Sequence, residues 1–182
     1  MAAVNVPEAS LEQADGALRP AGEGWYVLNA REAPWEESGP MGVFTRLGEG
    51  QVRFPQLGIN IGVLWPGQPG CMYHREPAAQ EGFLVLSGEC LLLVEGEERT
   101  LRQWDYFHCP PDTAHVMVGA GDGPCAVLAV GARGFPGVVY PRSELALSYG
   151  ASVEEETTSP DDAYAAFPKL ERTRYQEGWL PG

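Results

Sequence analysis

Residues 70–94 read GCMYHREPAAQEGFLVLSGECLLLV, and the rest of the chain is best understood outward from them. Two short apolar runs, 82–86 and 90–94, flank Ser87-Gly88-Glu89, the pattern of a β-hairpin with a Gly-containing turn. Upstream, His74 and Glu76 stand two apart and share one face of an extended segment. Pro77 breaks that segment. Glu81 opens the next strand, with Phe83 and Val85 on its own face. Imidazole and carboxylate groups converging from neighbouring strands suit a divalent metal.

Strand signals recur on both sides of this hairpin. Residues 43–47, 57–65, 98–102, 106–109, 116–118 and 126–130 are short apolar or alternating runs separated by turn residues. The chain's 23 Gly and 16 Pro fit many short elements, and 44% hydrophobic content is enough for one core. Together they predict an all-β jelly roll or barrel over residues 41–135. Residues 1–40 read as a polar leader with one helical turn near 9–14, followed by a flap carried by Trp25 and Trp35. Beyond Pro136 the pattern changes. Residues 140–149 read as a short strand or turn, and 161–167 begin a helix with Asp161 in its first turn. Residues 136–182 are therefore expected to pack on the barrel or on a partner chain.

The charge balance limits the partners. Asp and Glu number 25 against 12 Lys and Arg, a net charge of −13. Nucleic acid and anionic membranes are excluded, because phosphate affinity rests on Lys and Arg. No apolar stretch reaches membrane-span length, and no basic start precedes an apolar core, so a cytoplasmic protein is expected. Cys71, Cys90, Cys109 and Cys125 show no CxxC spacing and are expected to be free, small apolar residues.

A second cluster, WDYFHCPPDTAH at 104–115, carries strong turn chemistry in Pro110, Pro111 and Asp112, which places His115 at the start of a strand. The chain's three histidines are thus His74, His108 and His115. For His74, Glu81 and His115, metal ligation is weighed against satisfied core polar groups, and ligation is favoured because a buried carboxylate needs a partner. Glu76 is open between a fourth ligand, a proton-transfer group and a carboxylate paired with Arg75. His108 is open between a core or rim histidine and a general base.

These two clusters resemble the two motifs of the cupin superfamily. The first motif runs Gly, five residues, His-x-His, three or four residues, Glu, six residues, Gly. His74, Glu81 and Gly88 match it, while Glu76 stands where the second His is expected and Gly70 lies nearer to His74 than the motif has it. In the second motif Pro110 and His115 match, and Trp104, Asp112 and Gly119 replace Gly, Gly and Asn. The resemblance covers residues 58–131. It implies a double-stranded β-helix whose ligands, His74, Glu81 and His115, point into the barrel and hold one divalent transition metal (Fe, Mn, Zn or Ni). Glu76 as a fourth ligand would harden the set and favour Fe or Mn over Cu. The implied activity is dioxygenase, isomerase, decarboxylase or lyase chemistry on a small molecule, with Glu76 or His108 transferring a proton. The alternative is a non-catalytic protein that binds a sugar or an acid; a purely structural pairing of His74 with Glu81 ranks below both. Relatives that dimerise through sheet faces, together with the apolar stretches 91–94 and 127–130, lead us to expect a homodimer.

Overall fold

The computed structural model describes residues 5–47 and 55–182. The chain opens with a hairpin, β1 (Ser10–Ala14) and β2 (Ala17–Ala21), in register from Ser10 opposite Ala21 to Ala14 opposite Ala17. This replaces the helical turn expected near 9–14. The reason is the Asp15-Gly16 pair, whose φ values of 55° and 78° supply the two left-handed positions of a tight hairpin turn.

The barrel strands are β3 (Trp35–Glu37), β4 (Val43–Arg46), β5 (Leu57–Leu64), β6 (Glu81–Ser87), β7 (Glu89–Val94), β8 (Glu97–Arg102), β9 (Tyr106–Cys109), β10 (His115–Ala120) and β11 (Cys125–Ala132). A late strand, β12 (Glu171–Thr173), joins them. They form a seven-stranded sheet, β12-β3-β4-β5-β11-β6-β9, and a three-stranded sheet, β10-β7-β8, with every strand pair antiparallel. From β5 onward the chain passes back and forth between the two sheets. This is the double-stranded β-helix, or jelly roll. Each predicted barrel strand is present, with ends that differ by a few residues at most.

Side-chain alternation sets the layers. Glu81, Phe83 and Val85 of β6 point inward, as do Cys90 and Leu92 of β7 and His115 and Met117 of β10. Leu64, Val85, Cys90, Leu92, Met117 and Val127 close the interior beneath the site.

The outward positions of both sheets are also apolar, and the chain covers them itself. Leu91, Leu93, Val116 and Val118 on the small sheet pack against Ala146 and Ala151. Ala146 belongs to α1 (Glu144–Leu147), capped by the Ser143 hydroxyl, which accepts from the Ala146 N–H at 3.2 Å. A helix therefore stands where a short strand or turn was expected. On the large sheet, Ile61, Val63, Ala126 and Leu128 lie under Trp35 and Trp179, whose ring centroids are 5.1 Å apart. Of the stretches read in the sequence as dimer surface, 91–94 and 127–130, Leu92, Leu93 and Val127 are buried within one chain, while Leu91, Val94 and residues 128–130 keep partial exposure. Trp35 is fully buried in this layer and does not act as a flap, while Trp25 is exposed. The second helix, α2 (Pro160–Ala163), starts at the Ser159 cap with Asp161 in its first turn, as the sequence predicts. No helix among the described residues is long and apolar enough to cross a membrane.

Candidate metal centre

His74 and His115 are locked side by side by their own backbones. The His74 N–H donates to the His115 carbonyl at 3.1 Å, and the His115 N–H returns the bond at 2.9 Å. The two rings lie 4.9 Å apart, centroid to centroid. Each ring is then oriented by a carbonyl two residues earlier. His74 Nδ1 lies 2.8 Å from the Met72 oxygen, and His115 Nδ1 lies 3.0 Å from the Thr113 oxygen. A carbonyl only accepts, so both Nδ1 atoms carry the proton and both Nε2 atoms present a lone pair. Glu81, at the start of β6, completes the cluster, with its Oε2 3.4 Å from His115 Nε2. Donor atoms of His74, Glu81 and His115 all fall within 4.8 Å of one another. Gly131 faces Glu81 across the strand pair, and a Cβ there would come 3.4 Å from Glu81 Oε1.

The electrostatics match a site built for a cation. Burial, with His74 alongside, pushes His115 down to about 4. Burial also lowers His74. Burial, then the nearby charge of Glu76, raises Glu81 to about 7. The result is two neutral imidazoles beside a carboxyl that is reluctant to ionise without a counter-charge. His115 is 1% exposed, and its Nε2 has no hydrogen-bond partner. A buried nitrogen lone pair left unsatisfied in this way fits a missing electrophile, and imidazole, imidazole and carboxylate are apt donors for a divalent transition metal.

The other sequence candidates lie apart from this trio. Glu76 is half-buried and raised by burial, and it is not among the clustered donors. Arg75 pairs with Asp112 instead of with Glu76. His108 is exposed on β9, where it pairs opposite Gly82, and its neighbours Phe107 and Cys109 take the inward face. Two thiols that the sequence left as small buried residues stand behind the rings: Cys109 Sγ is 3.4 Å from His115 Nδ1, and Cys71 Sγ is 3.7 Å from His74 Nδ1. Burial pushes both thiols up to about 12, so they remain protonated.

The trio forms part of the wall of a cavity of about 600 Å³. Phe44, Gly62, Leu64, Phe83 and Val127 contribute apolar wall from the sheets. The cover comes from the C-terminal extension, through Tyr164 and Phe167. The Tyr164 hydroxyl accepts from the Met72 N–H at 3.1 Å, which ties the cover to the segment that carries His74. Of the residues expected to form a flap, 25–40, Ser38 reaches the cavity wall. Trp104 and Tyr106 are exposed, and Trp65 and Tyr73 pack in the outer layers.

Comparison with known proteins places the chain. The cupin domain family matches residues 60–131, the segment that runs from β5 through β11. No curated protein matches the chain. Among solved structures, a protein from Acidithiobacillus ferrooxidans put forward as a sugar phosphate isomerase is 26% identical, with a TM-score of 0.47, over 55% of this chain and 65% of that one. The chain thus spans just under two thirds of that protein. A sugar phosphate isomerase of the cupin superfamily from Silicibacter pomeroyi is 20% identical, with a TM-score of 0.49, over 84% of this chain and 83% of that one. A cupin protein from Bacteroides fragilis is 22% identical, with a TM-score of 0.42, over 44% of this chain and 68% of that one. Residues 60–131 of this chain thus match the cupin domain family, and the strand order around them is that of a double-stranded β-helix.

Proposed function

We propose that this protein is a metal-dependent cupin enzyme that acts on a small molecule held in the barrel cavity, with His74, Glu81 and His115 as the metal ligands. One observation carries the reading. Both imidazoles donate Nδ1–H to backbone carbonyls, so two Nε2 lone pairs and the Glu81 carboxylate meet on one cavity wall. Such tethering fixes tautomer and ring orientation before any metal arrives. Two imidazoles and one carboxylate form the donor set of non-haem iron sites, so Fe or Mn is the preferred occupant ahead of Zn or Ni. A metal held there supplies Lewis acidity and open positions for substrate or dioxygen, the root shared by dioxygenase, isomerase, decarboxylase and lyase chemistry.

The chain's own residues do the rest. The Met72 and Thr113 carbonyls hold the rings, and Gly131 leaves room for the Glu81 carboxylate. Tyr164 and Phe167 narrow the opening to water. Glu76, the sequence candidate for proton transfer, is half-buried and close enough for its charge to raise Glu81, but it is not among the residues of the cavity wall.

Metal analysis of natively purified, metal-replete protein tests the reading. The expected result is about one equivalent of metal in the wild type and less than a tenth of that in His74→Ala and His115→Ala, since loss of one of three donors removes most of the affinity. Wild-type protein without stoichiometric metal at neutral pH would overturn it.

A further inference from the structure

The cavity wall is specific about what it accepts. It is built from Phe44, Leu64, Phe83, Met117 and Val127, with Gly62 facing inward between Phe44 and Val127. A Cβ at Gly62 would meet nothing within 4 Å, so this glycine leaves open space in the middle of the sheet wall. Besides Glu81, the charged residues that line the cavity are Arg46, Asp161 and Lys169, and Arg46 stands opposite Asn60 in the β4–β5 pairing. Arg46 is held by Glu36 and covers the Phe44 ring at 4.6 Å, while Asp161 and Lys169 are exposed. Away from the metal trio, among the described residues, one polar group on this wall is unsatisfied: Asn60 Oδ1 is buried and has no hydrogen-bond partner.

Strand register locates this amide. Asn60 pairs with Ala129, and Ala129 pairs with Phe83, whose ring lies 5.1 Å from that of His115. Asn60 is therefore two strand spacings from the metal wall, about 10 Å along the sheet. An amide can present either its oxygen or its nitrogen to a ligand, so one polar hook sits at a fixed distance from the trio across an apolar floor.

We infer that the site takes a predominantly apolar small molecule, aromatic or alkyl, about two fused rings long, with a single hydrogen-bonding group that engages Asn60 while its other end meets the metal trio. This rests on the metal reading above only for the role of the trio. A sugar or sugar phosphate fits poorly. It would bring several hydroxyls against Phe44, Leu64 and Val127, and each buried hydroxyl without a partner weakens binding.

N-phenyl-1-naphthylamine tests the inference. It is apolar, carries one N–H donor, and fluoresces on leaving water. Titration into metal-loaded wild type is expected to give saturable one-site binding in the micromolar range. Gly62→Leu, which fills the open space, should weaken it at least tenfold. Asn60→Leu, close in shape, should weaken it about threefold to tenfold. Both variants should keep the wild-type metal content, and millimolar glucose 6-phosphate should not displace the probe. Absence of saturable binding, equal binding in Gly62→Leu, or displacement by glucose 6-phosphate would overturn the inference. The two readings separate cleanly: probe binding in wild type that holds no metal sinks the metal site alone, and full metal without probe binding sinks the ligand class alone.

Discussion

His115 and Glu81 titrate against each other in the metal-free fold. His115 stands at about 4 in the folded chain against an ordinary 6.5, so between those values the unfolded chain binds a proton that the folded chain refuses. Its contribution to stability is therefore lost as pH falls from 6.5 toward 4. Glu81 stands at about 7 against an ordinary 4.5, so the folded chain holds a proton that the unfolded chain releases. That contribution is lost as pH rises from 4.5 toward 7. A divalent ion beside Glu81 cancels the second loss. Between pH 5 and 6.5 the two slopes oppose, so metal-free wild type should hold a nearly constant Tm, whereas Glu81→Gln, which leaves the slope of His115 alone, should rise in Tm over that range. Calorimetry on both proteins in chelator checks this; parallel slopes would contradict it. Gly131 makes a second prediction at the same site. Gly131→Leu pushes a side chain into Glu81 and should lower metal affinity at least tenfold while the far-UV circular dichroism stays unchanged. Metal titration followed by circular dichroism reads both. His74, Glu81 and His115 were legible in the sequence because their spacing belongs to local motifs. Gly131 was not, because it meets Glu81 only through strand pairing across some fifty positions.

The turn before β9 shows what a motif departure does to an element. The Arg102 carbonyl accepts from the Asp105 N–H at 2.9 Å, and Trp104, third in the turn, has φ 74°. That is a left-handed position that favours Gly, and a bulky residue there is strained. Asp112, after Pro111 in the next turn, has φ 68°. Both positions are glycines in the cupin motif, and both hold the left-handed conformation that glycine adopts most easily. Asp tolerates it well, and Asp112 also pairs with Arg75. Trp104 has no such compensation and stands 67% exposed. Trp104→Gly should therefore stabilise the fold by about 1 kcal/mol, a rise of about 2–4 °C in Tm for a chain of this size. Trp104→Ala, which keeps a Cβ at the same φ, should give no such rise. Differential scanning calorimetry of the three proteins decides it, and equal Tm values for the Gly and Ala variants would refute the strain. The strands flanking these turns were readable from alternation. The three-residue β3 and β12 were not, since three residues carry no period. The β1–β2 hairpin was readable in principle from Asp15-Gly16, the strongest short-range hairpin signal.

At the scale of the whole molecule, the terminal extensions do the work that apolar sheet faces commonly leave to a second subunit. In the sequence, 91–94 and 127–130 looked too apolar for half-exposed strands; Leu92, Leu93 and Val127 are buried, and Leu91, Val94 and residues 128–130 keep partial exposure. Part of the cover is intramolecular: Ala146 and Ala151 pack on Leu93, and Trp179 packs with Ile61, Val63 and Ala126. The cover was not legible because 136–182 has little regular structure, and its apolar residues come in short runs such as 138–140, 145–147 and 163–167 that are too brief to carry a period. Trp179 is the test of this arrangement. It is 7% exposed and packs at 5.1 Å from Trp35, 6.0 Å from Tyr175 and 6.2 Å from Trp65. Removing a buried indole from such a cluster costs about 3–5 kcal/mol through lost transfer energy and the cavity left behind. Trp179→Ala should lower the urea-unfolding free energy by that amount. It should also expose the outer face of the large sheet, which larger particles at raised concentration in light scattering would report. The site should feel little of this, because Trp179 lies on the far side of the sheet from Glu81, so metal content per folded chain should stay at the wild-type value. A loss under about 1 kcal/mol would mean that the extension only rests on the barrel, since surface substitutions fall in that range.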